Sequence, residues 1–400
     1  MQRISILLFS TVFLFFSLAA WSQTASPFVN ISYKKAIKLS KKTNKDIMLF
    51  FTIANNSFCN KLEKELFSDM EVQKYYKSNF INLQILKNSK LGQQLVKDFN
   101  VNFFPSIVFV GADKQMIHKL SSLSKKTTLI SVGNTVLSSI GTLRYYNKMY
   151  QNEPDIFQQK PDLALDYAAV LEEAGEDYSS IINAYFAALQ PQDFKQPETV
   201  DAIIKYSDNV YSSEFIYFAR HIDLLKADKY SRKGKYRKLE TTLSNHLNDF
   251  VSMHKKQNIM DTLLVLLDFL NVANREAVIS KVMLDYYAGF KPGTKTYYAA
   301  LKHYMDVNSD IISDKEIVNY CNEILKTHAD QGLLNQALLW DERGIKEEET
   351  IQLDYIRAAL LYRLEREEEG DQQVDRIKAK FKVSNSPEWK EKLDKLFHKR

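Results

Sequence analysis

The sequence has few residues that cross-link a fold or interrupt helices and strands: its 400 residues include only two cysteines, 11 glycines and 8 prolines. Two cysteines, Cys59 and Cys321, cannot build a disulfide scaffold. Together with seven scattered histidines they do not have the spacing of a zinc site. The low glycine and proline content, with 26% charged residues, excludes a fibrous or disordered chain and indicates a helix-rich globular protein. A chain of this length exceeds one core, so we expect two or more domains.

Several functional signatures are also missing. The net charge is only +5, and no dense stripe of lysine and arginine with interleaved aromatic residues appears, which argues against a nucleic-acid partner. The sequence contains no glycine-rich phosphate loop, no G-x-S-x-G motif and no dinucleotide fingerprint. The sequence therefore predicts no cofactor and no metal site.

Long hydrophobic runs are scarce as well, and the longest lies at the N-terminus. Arg3 precedes an almost purely apolar stretch over residues 4–20, and Ala20 and Ser22 stand at the −3 and −1 positions of a cleavage site. This pattern favours a cleaved signal peptide over residues 1–22, with an uncleaved membrane anchor as the alternative. We expect an exported protein, periplasmic or extracellular, without a membrane attachment after cleavage.

What the sequence does contain is an ordered set of elements around Cys59. An apolar run of strand length, residues 46–52, precedes the cysteine, and an amphipathic helix is predicted over residues 60–68. Some forty residues later, Pro105 begins a β-branched strand. This order resembles the thioredoxin superfamily, especially exported members that read FFT…C-x-x-C-K-x-x-x-x-E-x-F. The resemblance covers about residues 30–140.

The resemblance implies an α/β thioredoxin-like domain over residues 24–142. Its expected fold is a four-stranded mixed sheet covered by helices on both faces. Four segments have the apolar character of strands: residues 45–51, 80–86, 107–110 and 116–120. In the family, the X-Pro bond at this position is cis and faces the active-site loop, so we expect Phe104–Pro105 to be cis. The alternative is that Pro105 merely begins the strand.

The chemistry of the family requires groups that this sequence lacks. A thiol–disulfide oxidoreductase uses an exposed thiolate at the N-terminus of a helix, and the resemblance places Asn56 at that position. Asn55 stands where a tryptophan is usual, and Phe50 stands where many members have a carboxylate. Cys59 matches the second, resolving cysteine. The resemblance therefore implies a redox-inactive domain, in which Cys59 is the one candidate for catalysis.

A peptide groove is the feature that survives these substitutions. We predict that it is formed by residues of the active-site loop on one side and by residues of the Pro105 segment on the other. They are Asn55, Asn56, Ser57, Phe58, Phe104 and Pro105. The predicted function is a protein- or peptide-binding or assembly factor of the cell envelope. The alternative is a thiol–disulfide oxidoreductase or isomerase that works through the single thiol of Cys59.

The periodicity of the sequence changes after residue 142. Residues 143–400 have helical periodicity and almost no strand signal, with a helical hairpin predicted over 161–189 that turns near Gly175. These hairpins resemble tetratricopeptide-type repeats of about 34 residues, although a plain helical bundle is the alternative. The sequence thus predicts an all-α, repeat-like domain whose concave face binds a protein partner.

Overall fold

A computed structural model presents the chain as two compact units, the first ending at Leu189 and the second beginning at Gln190. The predicted signal peptide, residues 1–22, lies outside the described residues. The structure describes residues 26–121, 126–253, 258–309, 312–327, 329–344, 351–381 and 386–397.

The first unit contains a four-stranded mixed sheet, as the sequence predicts. Its strands are β1 (Ile47–Thr52), β2 (Ile81–Leu86), β3 (Ser106–Val110) and β4 (Met116–Leu120). The order across the sheet is β2-β1-β3-β4, with β1 parallel to β2 and antiparallel to β3, and β3 antiparallel to β4.

Five helices cover the two faces of this sheet. They are α1 (Tyr33–Thr43), α2 (Ser57–Phe67), α3 (Met70–Asn79), α4 (Lys90–Asp98) and α5 (Lys126–Ser138). Phe50 belongs to the core under α2, α3 and α5, whereas Leu49 and Phe51 belong to the core under α1 and α4. Because both faces are covered, β1 reads as a continuous apolar run rather than as an alternating one.

The first unit continues past residue 142 into four more helices. They are α6 (Leu143–Asn152), α7 (Ile156–Gln159), α8 (Pro161–Ala174) and α9 (Ser179–Ala188). Helices α6 and α8 pack against β4. Two hydrogen bonds tie them to it: the Leu143 N–H donates to His118 Nδ1 at 3.2 Å, and the Ser121 N–H donates to the Glu173 carbonyl at 2.8 Å. The compact unit thus includes the helical hairpin predicted over 161–189.

The second unit is helical throughout its described residues. After a short 3-10 helix (Asp193–Lys195) it contains α10 (Pro197–Tyr206), α11 (Ser213–His221), α12 (Arg232–Met253), α13 (Ile259–Leu270), α14 (Arg275–Phe290), α15 (Lys295–Val307), α16 (Asp314–Leu325), α17 (Gln331–Gly344), α18 (Ile351–Arg363), α19 (Glu367–Phe381) and α20 (Pro387–Phe397).

Consecutive helices of the second unit pack as neighbours, for example α14 on α15 and α16 on α17. Their apolar faces form a core that includes the buried Trp340 and Leu301. This is the arrangement that a helical repeat needs, and the tetratricopeptide-like period itself stays a prediction. In the part of the chain that the structure describes, no helix is long and apolar enough to cross a membrane.

Candidate functional site

The predicted groove residues lie at one edge of the sheet. Phe51, near the end of β1, pairs with Ser106, the first residue of β3, in an antiparallel register. Thr52 pairs with Leu86 at the end of the parallel strand β2. The loop after β1 and the Pro105 segment before β3 therefore emerge at the same edge, as the sequence predicts for this fold.

Asn56 caps helix α2. Its backbone is extended, with φ −87° and ψ 118°, and its side-chain oxygen accepts the Cys59 N–H at 2.9 Å. Because of this cap the helix begins at Ser57, three residues before the predicted start. The amide side chain thus occupies the helix N-terminus at which the family would hold a thiolate.

The residues beside the cap differ in exposure. Asn55 is exposed, with φ +60°, a left-handed conformation that asparagine adopts more readily than most side chains. Ser57 is exposed in the first turn of α2, and the Phe58 ring is 59% exposed. This turn of the helix therefore presents an aromatic ring to solvent.

Cys59 points away from solvent. It is a free cysteine and fully buried, 0% exposed, in the first turn of α2. The other free cysteine, Cys321 in the second unit, is also buried; its Sγ donates to the Ala337 carbonyl at 3.5 Å, and burial raises the pKa of its thiol. Neither sulfur is placed to attack a disulfide in solution, because the attacking species is an accessible thiolate.

Phe50 fills the position at which many thioredoxins have a carboxylate. Its ring is fully buried and stacks on Phe28 with centroids 5.6 Å apart, and Phe67 meets it edge-on at 5.1 Å. Offset and edge-to-face contacts of this kind stabilise an apolar core. An aromatic cluster therefore surrounds Phe50, the position at which the sequence resemblance implies an acid in many members of the family.

On the other side of the edge, the Phe104–Pro105 peptide bond is cis. The Phe104 ring is half-buried against the core under α1 and α4, and the Lys87 Nζ lies 4.6 Å from its centroid. Among the described residues, neither the N–H nor the C=O of Phe104 has a backbone hydrogen-bond partner. This residue therefore offers one donor and one acceptor at the sheet edge.

Phe103 supplies the aromatic surface on this side, since its ring is 55% exposed while that of Phe104 turns inward. Its carbonyl accepts the Ser106 hydroxyl at 2.6 Å. The ring also packs against Gly175, the left-handed residue that ends α8: a Cβ at that glycine would lie 3.1 Å from two ring carbons. The C-terminus of α8 thus supports a residue of the site.

A buried ion pair holds the loop before Pro105 in place. Lys119 of β4 is 1% exposed and pairs with Glu176, just after α8. The Lys119 Nζ also donates to the Asn100 carbonyl at 2.9 Å, and the Asn100 side-chain amide donates to Glu176 at 3.1 Å. Sequence reasoning missed this cluster, because its members are distant along the chain and each resembles a surface residue.

Within the described residues, no three His, Cys, Asp or Glu side chains come together in a way that could hold a metal ion. The groups that this edge presents include the backbone of Phe104, the Asn56 cap and the exposed rings of Phe58 and Phe103.

Comparison with known proteins agrees with the architecture of the sheet. Residues 33–136 match a protein family described as a thioredoxin-like domain. These residues form a thioredoxin-like domain. No curated protein matches the chain.

Two solved structures are each similar to about a quarter of the chain. A thioredoxin from Thermus thermophilus is 19% identical, with 26% of this chain and 83% of that chain covered and a TM-score of 0.25. A DsbH oxidoreductase is 21% identical, with 28% of this chain and 85% of that chain covered and a TM-score of 0.26.

Proposed function

We propose that the thioredoxin-like domain binds an extended protein segment without exchanging disulfides, as a binding or assembly factor of the cell envelope. The observation that carries this proposal is the free backbone of Phe104 at the edge to which two open aromatic rings belong, those of Phe58 and Phe103. Cys59 is buried at the same edge and Asn56 caps its helix. Among the described residues, this edge has recognition groups, and its one thiol, that of Cys59, is not accessible.

The mode of binding is the addition of a short strand. An extended segment pairs its own C=O and N–H with the N–H and C=O of Phe104, which gives affinity independent of sequence. Its apolar side chains cover Phe58 and Phe103, which are large aromatic surfaces exposed to water. The concave face of the helices in the second unit is proposed as a further protein-binding surface.

The binding surface is tested by selecting displayed random peptides on the protein without its signal peptide. We expect the enriched peptides to lose at least about tenfold in affinity when Phe58→Ala and Phe103→Ala are combined. The matched control combines Leu224→Ala and Val265→Ala, two exposed apolar side chains of the second unit, 81% and 69% exposed. Equal binding by both double variants would refute the proposed surface.

The absence of redox exchange is tested by insulin reduction with dithiothreitol as the electron source. We expect no turnover above background, because an amide at Asn56 cannot become a thiolate and Cys59 is buried. Turnover that disappears in Cys59→Ser would instead support the single-thiol enzyme.

Maleimide labelling of the native protein separates the two candidate functions directly. A matched variant, Ser57→Cys in a Cys59→Ser background, places a thiol at an exposed position of the same helical turn. We expect this variant to label at least about tenfold faster than Cys59, because the buried sulfur reacts only when the helix opens. Equal rates would favour the enzyme.

Export is part of the proposal and rests on the N-terminal pattern of residues 1–22. Expression of the full chain in a bacterium, followed by N-terminal sequencing of the exported fraction, tests it. We expect the mature chain to begin at Gln23, and retention of Met1 in the cytoplasm would contradict export.

A further inference from the structure

The thioredoxin-like part of the chain has an excess of positive charge that the proposed function does not use. Residues 26–121 contain 15 lysines, no arginine and seven acidic residues. The difference, 15 − 7, is a net charge of +8, whereas the net charge of the whole chain is +5. The rest of the chain is therefore net negative, and the sheet with its first four helices is the part that attracts anionic groups.

Helix α1 concentrates this charge. Its sequence, YKKAIKLSKKT, contains five lysines and no acidic residue, and all five lysines are exposed. None of them forms an ion pair among the described residues, whereas Lys61 of α2 pairs with Glu65 one turn along its helix. Lys34 and Lys35 stand in the first turn of α1, where the positive end of the helix dipole disfavours a cation. The stability of the helix itself therefore does not account for these lysines.

A groove of about 930 Å³ lies between α1 and α4, and the turn between β3 and β4 contributes to its lining. Its apolar lining includes the largely buried side chains of Ile37, Leu95 and Phe99. Leu91 is 37% exposed and Met116 is half-buried, so both present apolar surface to the groove. Apolar side chains of a ligand would leave water at this place.

The charged groups that line the groove have a positive balance. The basic residues are Lys34 and Lys38, four residues apart on α1, and Lys114, in the turn after β3. The acidic residue of the lining is Asp98, the last residue of α4. None of the three lysines forms an ion pair among the described residues, and Asp113 beside Lys114 is already paired at 3.2 Å with an arginine of α6. Three ammonium groups against one carboxylate leave two positive charges without a counter-ion.

We propose that the groove between α1 and α4 binds a short acidic, amphipathic segment of a partner protein. Carboxylates of the segment pair with Lys34, Lys38 and Lys114, and its apolar side chains cover Leu91 and Met116. This is recognition by an apolar face laid into a groove, with complementary charges at the rim. A flat anionic bilayer would reach the lysines without filling the space between the helices. The lining has no largely exposed aromatic ring on which the bases of a nucleic acid would stack.

The groove is separate from the edge that carries the proposed function. The two places share no lining residue, and they belong to opposite ends of β3: Pro105 precedes the strand, and Lys114 lies in the turn that follows it. The inference is therefore independent of strand addition at Phe104, and one protein molecule has room for a segment at each place.

Three libraries of displayed helical peptides, selected on the protein without its signal peptide, test the chemistry of the occupant. The first has glutamate on the polar face and leucine on the apolar face. The second has lysine in place of glutamate, and the third has serine in place of leucine. We expect enrichment from the first library alone, and affinities that weaken at least about tenfold from low to high salt.

Enrichment from the lysine or serine library, or from none of the three, would overturn the proposal. Vesicles that contain phosphatidylglycerol are the competing probe. If they bind the protein more tightly than the enriched peptides do, the lysines serve a membrane surface and the proposal is wrong.

The double variant Lys34→Gln with Lys38→Gln removes two charges from the groove. We expect it to bind the enriched peptides at least about tenfold more weakly. The matched control, Lys41→Gln with Lys42→Gln, removes the same charge from exposed positions in the last turn of α1 and should cost less than about threefold. Equal losses in the two variants would show that net charge alone attracts the peptides, which would overturn the groove as the site.

The apolar contact is tested by Leu91→Ser, which leaves the charge unchanged. We expect binding of the enriched peptides to weaken at least about fivefold, with a native circular dichroism spectrum. Unchanged binding in this variant would contradict docking between α1 and α4.

Discussion

Among the described residues, the buried charged side chains are basic in the first compact unit and mostly acidic in the second, where Lys235 is the exception. The thioredoxin-like sheet encloses two basic side chains in β4, His118 and Lys119, both at most 2% exposed. The second unit instead places the carboxyl group of Glu240 in a cavity between helices. Burial disfavours the charged form of every such group, so the units should respond to acid in opposite directions unless a partner compensates. Lys119 has that partner in Glu176 and His118 has Glu173 3.8 Å from its Nε2, whereas Glu240 has no ion pair among the described residues.

The largest effect should come from breaking the compensated pair. Glu176→Ala leaves the buried Lys119 ammonium with only the Asn100 carbonyl, which should destabilise the first unit by about 3 kcal/mol. Hydrogen-exchange mass spectrometry of β4 and α8 measures this loss. Glu172→Ala, at an exposed position in the last turn of α8, is the control. Lys119→Met combined with Glu176→Leu should recover most of the loss, and a failure to recover would indicate lost packing instead.

Acid should destabilise the first unit through His118. Burial lowers the pKa of its imidazole from 6.5 to about 4, so the unfolded chain binds the extra proton first. The contribution of His118 to the free energy of unfolding is full above about pH 6.5. It decreases by up to about 3 kcal/mol as the pH falls toward 4. Glu173, whose carboxyl lies 3.8 Å from His118 Nε2, offsets part of this loss of stability. Burial raises the pKa of its carboxyl, so the folded protein binds that proton more tightly than the unfolded chain does.

The readout for His118 is the amide of Leu143, which donates to its Nδ1. Exchange of peptides that contain this amide, corrected for the intrinsic effect of pH, should accelerate between about pH 7 and pH 5. His118→Asn should flatten the response, and an unchanged response in that variant would assign it to another group.

The second unit should respond in the opposite sense through Glu240. Burial raises the pKa of its carboxyl from 4.5 to about 7, so the folded form holds the proton more tightly than the unfolded chain. Its contribution to stability is full below about pH 4.5 and is lost as the pH rises through 7, by about 2 kcal/mol after allowance for the open cavity. Exchange of α12 peptides checks this, and a slope that survives in Glu240→Gln would contradict it.

The smallest effect concerns the helix cap at the groove. Asn56→Ala removes the acceptor of the Cys59 N–H and should cost about 1 kcal/mol, whereas Asn56→Asp keeps an acceptor and should cost less than half as much. Maleimide labelling of Cys59 reports the opening of α2 in each variant. Equal labelling in Asn56→Ala and the unaltered protein would show that the cap does not control access to the thiol.

Local patterns predicted the sheet well because each strand carries its own signal. The continuous apolar run of β1 and the proline before β3 are sufficient to place the loop and the edge. The periodicity of the sequence predicts a start of α2 that is three residues too late, because Asn56 starts the helix through a side-chain cap, which periodicity does not reveal.

Contacts between distant residues could not be predicted in this way. Lys119 and Glu176 are 57 residues apart, and in the sequence each resembles an ordinary surface charge. Their pairing extends the first compact unit past residue 142. Similarly, the charges around Glu240 come from three helices, and Glu316 lies far along the chain from it. Burial and charge balance at such points depend on tertiary packing, which periodicity does not encode.

The contact between Gly175 and Phe103 has a mechanical consequence. Gly175 ends α8 with φ +66°, and two carbons of the Phe103 ring lie 3.1 Å from where a Cβ at this glycine would be. Just beyond it, Glu176 is tied to β4 through Lys119. A tension applied to the hairpin of α8 and α9 would therefore reach an aromatic ring at the sheet edge, and a segment bound there, as we propose, would load the hairpin in return. The first helices after the sheet are thus mechanically coupled to the proposed binding site at the sheet edge.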